Sequence, residues 1–120
     1  MLLELEKKFT INGMMHMTGG AFTKLKDIAE HVDVEITRNH ILHPQSIFQE
    51  LYQRGVQDEE MYQTFNCGIG FIVSTPENEA DSIIKEINKA GFQADRIGKS
   101  VQGTGKIKIE SMFSNKLIEF

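Results

Sequence analysis

Residues 60–71, Glu-Met-Tyr-Gln-Thr-Phe-Asn-Cys-Gly-Ile-Gly-Phe, constrain the fold more tightly than any other stretch of the chain. Met61, Tyr62 and Phe65 have the spacing of one helical face. The pattern breaks at Asn66 and resumes as Ile69, Phe71, Ile72 and Val73, an apolar run of strand length. Gly68 and Gly70 lie between the two halves, where residues without Cβ let another backbone or a ligand approach closely. Asn66 brings an amide with a donor end and an acceptor end to that junction. Read from spacing alone, this is a buried strand entered through a tight corner.

Composition sets the frame around this stretch. A chain of 120 residues is one domain by size, long enough to bury about two thirds of its unfolded surface. A net charge of −4, without a dense Lys/Arg patch, disfavours nucleic acid as a partner. Cys67 is the single cysteine, which excludes an internal disulfide framework and suits a reducing compartment. No apolar run approaches the roughly 18 residues of a membrane span, so no membrane is expected. The first residues, Met-Leu-Leu-Glu-Leu-Glu-Lys-Lys, carry acids where a secretory signal is basic and then apolar. The expected compartment is the cytoplasm.

Along the chain, Leu2, Leu3 and Leu5 predict a short helix ending near Phe9-Thr10. That helix starts with the chain itself, as expected of a chain that once continued or continues elsewhere. Asn12-Gly13 is a turn signal, and Met14 to Met17 read as a strand. Thr18 takes an N-cap role for a helix opened by Gly19 and Gly20 and running to about Glu30. Phe22, Leu25, Ile28 and Ala29 form its buried face, and His31 closes it. Val32, Val34 and Ile36 alternate with polar residues as a half-buried strand. After a loop over residues 38–43, Pro44 suits the first turn of a helix with the stripe Ile47, Phe48, Leu51 and Tyr52, stopped by Gly55. Asp58 suits the cap of the next helical piece. Pro76-Glu77 opens a helix with Ala80, Ile83, Ile84 and Ile87 inward, ended by Gly91. Residues 92–97 and 106–109 are expected to pair as a hairpin across Gly103-Thr104-Gly105, and residues 117–120 to add an edge strand. Strands interleaved with helices give an α/β or α+β layer fold.

Thr18-Gly19-Gly20 is the best candidate site. A helix N-terminus presents N–H groups outside its own ladder, and glycines let a phosphate reach them. Such a contact stabilises by about 0.3–1 kcal/mol at the surface and up to about 2 kcal/mol when sheltered. The same residues also read as an ordinary Thr-capped helix whose glycines permit close packing. His16 lies two residues earlier and shares a strand face with Met14 and Thr18.

Two segments carry a family resemblance. Glu60-Met61-Tyr62-x-Thr64-Phe65-Asn66-x-Gly68-x-Gly70 resembles the signature of the C-terminal half of AIR synthase, phosphoribosylformylglycinamidine cyclo-ligase. Upstream, Gly13-x-x-His16-x-Thr18-Gly19-Gly20-Ala21-Phe22 is similar to the family's His-x-Thr-Gly-Gly-Gly-Phe segment, with Ala21 in place of the third glycine. The resemblance spans roughly Leu2 to Glu110. It implies a mixed β-sheet with helices on both faces, somewhat like a ferredoxin fold. It also implies a cleft between two halves, with His16, Thr18, Gly19, Gly20 and Asn66 lining this half for substrate or phosphate. ATP and Mg are implied only for a complete two-domain enzyme, whose glycine-rich and acidic N-terminal segments have no match here. No residue is assigned a catalytic role, and no cofactor is expected for this chain alone. Ala21 adds a Cβ that either sits harmlessly on a helix or narrows the anion site.

Other residues point to less. His40 and His43 share a loop without a cysteine or carboxylate cluster to complete a metal set. Cys67 reads as an inert core thiol, and Lys106 and Lys108 as the solvated side of an edge strand.

Two functions stay open at this point. One is the C-terminal half of an ATP-dependent cyclo-ligase of purine biosynthesis, inactive alone and acting with a separate N-terminal domain subunit on a phosphorylated purine intermediate. The other is a non-catalytic module that binds a phosphorylated metabolite or a protein partner. In either case a missing half leaves an apolar surface, so a homo-oligomer or a partner is expected, with Met14, Met15 and Met17 as adaptable contact residues.

Overall fold

The computed structural model describes residues 2–18, 20–29 and 31–120. Its elements run α1 (Leu2–Lys8), β1 (Gly13–His16), a 3-10 helix (Ala21–Ile28), β2 (Val32–Ile36), α2 (Ser46–Gln53), α3 (Asp58–Thr64), β3 (Phe71–Ser74), α4 (Glu77–Lys89), β4 (Gly98–Gln102), β5 (Ile107–Glu110) and β6 (Leu117–Glu119). β1 and β3 form an antiparallel ribbon, and the other four strands form a sheet in the order β4-β2-β5-β6. Within that sheet β2 runs antiparallel to β4 but parallel to β5, and β5 runs antiparallel to β6. The fold is α+β with a mixed sheet, the expected class. Among the described residues no helix is long and apolar enough to cross a membrane.

The core lies between the four-stranded sheet and two helices. Phe22 and Leu25 of the 3-10 helix and Ala29 at its end meet Met61 and Tyr62 of α3 over Ile36, Ile107, Ile109 and Ile118 of the sheet. Phe22 and Tyr62 pack edge to face with centroids 5.2 Å apart. Full burial of each large apolar side chain stabilises by about 1.5–3 kcal/mol. On α2, Phe48, Leu51 and Tyr52 pack against this core, whereas Ile47 of the expected stripe is 59% exposed. α1 lies along α4, burying Leu5 and Ile83. An exposed Lys8–Glu86 pair at 3.6 Å joins the two helices and adds about 0–1 kcal/mol.

Four local expectations change. Pro44 precedes the N-cap Gln45 and so lies just outside α2. Asp58 does not cap α3: Gln57 is the N-cap, with no side-chain cap bond. The Asp58 carboxylate turns inward instead and accepts the Ser111 and Ser114 hydroxyls at 2.5 and 2.7 Å. Burial pushes its pKa up, but bonds from Ser111, Ser114 and Tyr52 outweigh that and leave it below the ordinary carboxylate range. The helix after residue 20 is a 3-10 helix ending at Ile28, so His31 stands at the head of β2 rather than at a helix end; Glu30 lies outside the described residues.

The expected hairpin is the largest change. Residues 92–97 form no strand because their groups serve other contacts. The Ala94 N–H donates to the Asn88 side chain, Asp95 accepts the Ile41 N–H at 2.9 Å, and Arg96 pairs with Glu77 and Asp81. The strand forms six residues later, where Gly98 fits against β2: a Cβ there would lie 2.0 Å from the Glu35 carbonyl oxygen. β2 then separates β4 from β5, because Asp33 gathers the connecting turn. One oxygen of its carboxylate accepts the N–H groups of Thr104, Gly105 and Lys106 at 2.9–3.2 Å. The Lys106 and Thr104 bonds hold the Asp33 pKa below its ordinary value.

Two outcomes test this architecture. Gly98→Ala lowers unfolding stability by about 1–3 kcal/mol, the usual cost of overpacking, read as a lower urea midpoint. Gly70→Ala, with nothing within 4 Å of its Cβ position, stays near wild type in the same assay. Second, a carboxylate with a depressed folded pKa stabilises the fold above its unfolded pKa and loses that contribution as pH falls. For Asp33 the loss begins near the ordinary 3.8 and continues below it. Acid titration followed by circular dichroism therefore shows a shallower stability slope for Asp33→Asn than for wild type.

Candidate functional site

The site is assembled by the β1–β3 ribbon. Its register sets Gly13 opposite Ser74, Met14 opposite Val73, Met15 opposite Ile72 and His16 opposite Phe71. Just past the last pair, the Met17 N–H donates to the Gly70 carbonyl at 3.0 Å. The segment leading to Thr18 therefore runs beside the segment leaving Asn66. The His16 and Phe71 rings lie nearly parallel with centroids 5.9 Å apart on the outer face of the ribbon. Of the three expected contact methionines, only Met14 is exposed. Met15 packs against the core, and Met17 is within it at 2% exposure, because strand alternation continues past His16.

Thr18 is exposed, and Gly19 lies outside the described residues, as does the Ala21 side chain. Gly20 occupies the N-cap of the 3-10 helix in the left-handed region, φ +84°, without a side-chain cap. Thr18 is thus not the cap. Thr23 closes the turn instead, donating its N–H and its hydroxyl to the Gly20 carbonyl at 3.1 and 2.5 Å. These three-residue closures wind the helix more tightly than the α form expected. A Cβ on Gly20 would lie 2.9 Å from Lys24 Cε, so the stem of Lys24 runs over this glycine and carries an ammonium to the corner. Sequence reading passed over Lys24. The available signal was its spacing, one helical turn beyond Gly20.

The second half of the corner is a tight turn. The Asn66 side-chain oxygen accepts the Gly68 N–H at 2.9 Å, and its carbonyl accepts the Ile69 N–H at 3.0 Å. Cys67 and Gly68 are both left-handed, at φ +51° and +93°. A Cβ on Gly68 would approach His43 O to 2.9 Å and Pro44 Cα to 3.3 Å, so this glycine is needed for packing against the chain's own loop. Gly70 has nothing within 4 Å of its Cβ position. Asn66 spends its oxygen inside the turn, which leaves its two amide hydrogens as what it can offer outward. Cys67 belongs to the turn rather than to a strand. Its thiol is buried against Met61 O at 3.5 Å, and burial pushes its pKa up to about 12.

The structure therefore brings His16, Thr18 and Gly20 alongside the Asn66–Gly70 turn. Among the described residues no group of three or more His, Cys, Asp or Glu side chains is placed to hold a metal ion. No step through ATP or magnesium is assigned to these residues.

Fold and corner together define a class, an α+β domain with a glycine corner at a helix start braced by a two-stranded ribbon. The profile of the family described as "AIR synthase related protein, C-terminal domain" matches residues 1–110, and the chain belongs to that family. Phosphoribosylformylglycinamidine cyclo-ligase of Clostridium perfringens is 41% identical over 100 residues, covering 81% of this chain and 30% of its own length. The cyclo-ligase of Methanocaldococcus jannaschii is 41% identical over 97 residues, 80% of this chain and 27% of its own. That of Methanococcus maripaludis is 38% identical over 122 residues, 96% of this chain and 34% of its own. The chain spans about a third of the length of these relatives.

The Cys67 environment gives a direct check on the corner. A water-soluble aromatic disulfide reagent at mildly alkaline pH labels the folded protein far more slowly than the urea-unfolded chain, because the thiol is buried and protonated. Rapid labelling of the folded chain would mean that the Asn66–Gly68 turn is open.

Proposed function

We propose that this chain supplies one wall of an ATP-dependent cyclo-ligase site, of the kind that closes formylglycinamidine ribonucleotide to aminoimidazole ribonucleotide. The reading is supported chiefly by the β1–β3 ladder, which sets the two family segments side by side at the glycine corner. In this reading Thr18, Gly19 and Gly20 hold a phosphate group at the start of the 3-10 helix. Lys24 supplies a countercharge, and His16 and the Asn66 amide hydrogens line the cleft toward the substrate. Gly70 keeps the approach open, since a side chain there would occupy space that the chain itself leaves empty.

The nucleotide and its metal are assigned to a separate domain of the N-terminal type, and the complete site forms only when the two halves meet. The outer face of the ribbon, with Met14, His16 and Phe71, is the surface such a half would cover. Met14 and Phe71 are 36% and 41% exposed. We place the assembled enzyme in the cytoplasm, as a multi-subunit complex of purine biosynthesis.

Titration with inorganic phosphate, followed by amide NMR, tests the corner. Thr18 and Gly20 amides shift with weak saturable binding, and Lys24→Ala weakens that binding severalfold. Shifts confined to another region would overturn the assignment. Under the same reading the isolated chain turns over no formylglycinamidine ribonucleotide with ATP, and ATP-dependent cyclisation by this chain alone would refute the half-site.

A further inference from the structure

The loop between β2 and α2 contains a buried histidine that neither the family resemblance nor the proposed site uses. His40 is 4% exposed and lines a narrow internal space with Phe22, Tyr62, Cys67, Ile69 and Glu110. Its Nδ1 accepts the Leu42 N–H at 3.2 Å, so the ring closes the loop on itself two residues further on. The same loop is tied from outside by the Ile41 N–H to Asp95 bond at 2.9 Å. Beyond Leu42, His43 O, Pro44 and Gln45 form the surface against which Gly68 is packed without room for a Cβ. From Gly68 the chain reaches Gly70, whose carbonyl holds the Met17 N–H just before Thr18.

A continuous set of contacts therefore runs from the His40 ring to the glycine corner. We propose that His40 is a positioning residue and a proton-operated latch: neutral, it holds the 40–45 loop against the Asn66–Gly70 turn, and protonation releases the loop and loosens the corner. The chemistry is simple. A neutral imidazole accepts at one nitrogen, whereas an imidazolium donates at both, so a proton on Nδ1 removes the acceptor and sets two N–H groups against each other. Tight packing at Gly68 transmits the change, because that contact has no slack to absorb it.

The charged and titratable neighbours determine the direction. Burial lowers the His40 pKa, Asp95 opposes that shift, and His43 reinforces it. Glu110 of β5 faces the same space, and its carboxylate is engaged by the Arg38 N–H at 3.0 Å. Tyr62 and Cys67 stay neutral, each pushed up to about 12 by burial. A histidine with a depressed folded pKa favours the closed state above its unfolded value, and that contribution is lost as pH falls below it. The window therefore opens downward from the ordinary 6.5.

The inference rests on the proposed phosphate corner for its functional meaning, but the latch is read without any ligand. On the full chain, the His40 ring and the backbone amides are followed by NMR between about pH 8 and 5, the range in which histidines switch. The Leu42 and Gly68 amides titrate with the His40 ring, at a midpoint below its ordinary value. In His40→Gln, which keeps an acceptor and cannot titrate, both amides become independent of pH; in His43→Gln they still titrate. Sulfate, whose charge is constant over this range, then binds at Thr18 and Gly20 severalfold more weakly to wild type than to His40→Gln at the acid end, and equally to both at the alkaline end. The latch is overturned if Leu42 and Gly68 stay unshifted while the His40 ring titrates in wild type, or if they still titrate in a folded His40→Gln. Absence of sulfate shifts at Thr18 and Gly20 at every pH would refute the phosphate corner, leaving the latch to be judged on Leu42 and Gly68.

Discussion

The pairing of β1 with β3 is the contact on which the arrangement of the glycine corner turns. It joins segments separated by the 3-10 helix, β2, α2 and α3, and it does so with few backbone bonds. Met17, one residue past the ladder, carries the alignment into the core, where it lies with Phe22, Cys67 and Ile69. Without that register Thr18 and Gly20 would have no fixed relation to the Asn66–Gly70 turn. The aromatic contact between Phe22 and Tyr62 repeats the constraint from below, locking the 3-10 helix to α3.

Two carboxylates do comparable work elsewhere in the fold. Asp33 gathers three successive N–H groups of one turn, and Asp58 gathers two serine hydroxyls of another. Each connects elements distant in sequence: Asp33 sets the approach to β5, and Asp58 fixes the bend between β5 and β6 onto α3. A charge-assisted bond is roughly twice as strong as a neutral one, and a buried polar group left unpaired is costly. These acids therefore specify connections that apolar packing alone would leave free. Ser111 illustrates the economy, since its oxygen also accepts the Phe113 N–H at 3.0 Å while its proton goes to Asp58.

Much of this was legible in the chain itself, for physical reasons that differ from place to place. Periodicity revealed α3 and α4 because their apolar faces are continuous, as with Met61 and Tyr62 or Ile83 and Ile84. It failed at residues 92–97, where alternation resembles a strand but Asp95 and Arg96 are committed to side-chain bonds. It also passed over β4, which opens with Gly98 and is poor in apolar residues, because that strand is defined by its close pairing with β2 at Glu35. Motif similarity located His16, Thr18, Gly20 and Asn66 in one neighbourhood, which spacing alone had left open. What neither route could reach was every feature made by distant pairing. The turn bound by Asp33, the Asp58 serines and the burial of the His40 ring each depend on partners that only the folded chain supplies.

The ribbon's small size has a consequence for motion. Two strands joined by few hydrogen bonds are marginal by themselves. Here only one face, with Met15 and Ile72, is packed against the core. Elements of this kind belong to the low end of a protein's range of local opening energies, while sheets buried between layers approach the global value. Amide hydrogens in β1 and β3 therefore exchange through sub-global fluctuations, whereas those of β2 and β5 wait for unfolding of the whole domain. The corner is consequently mounted on a small unit with one face packed against the core. A binding partner laid across its outer face would be selecting, and then quenching, an opening that the free domain already samples.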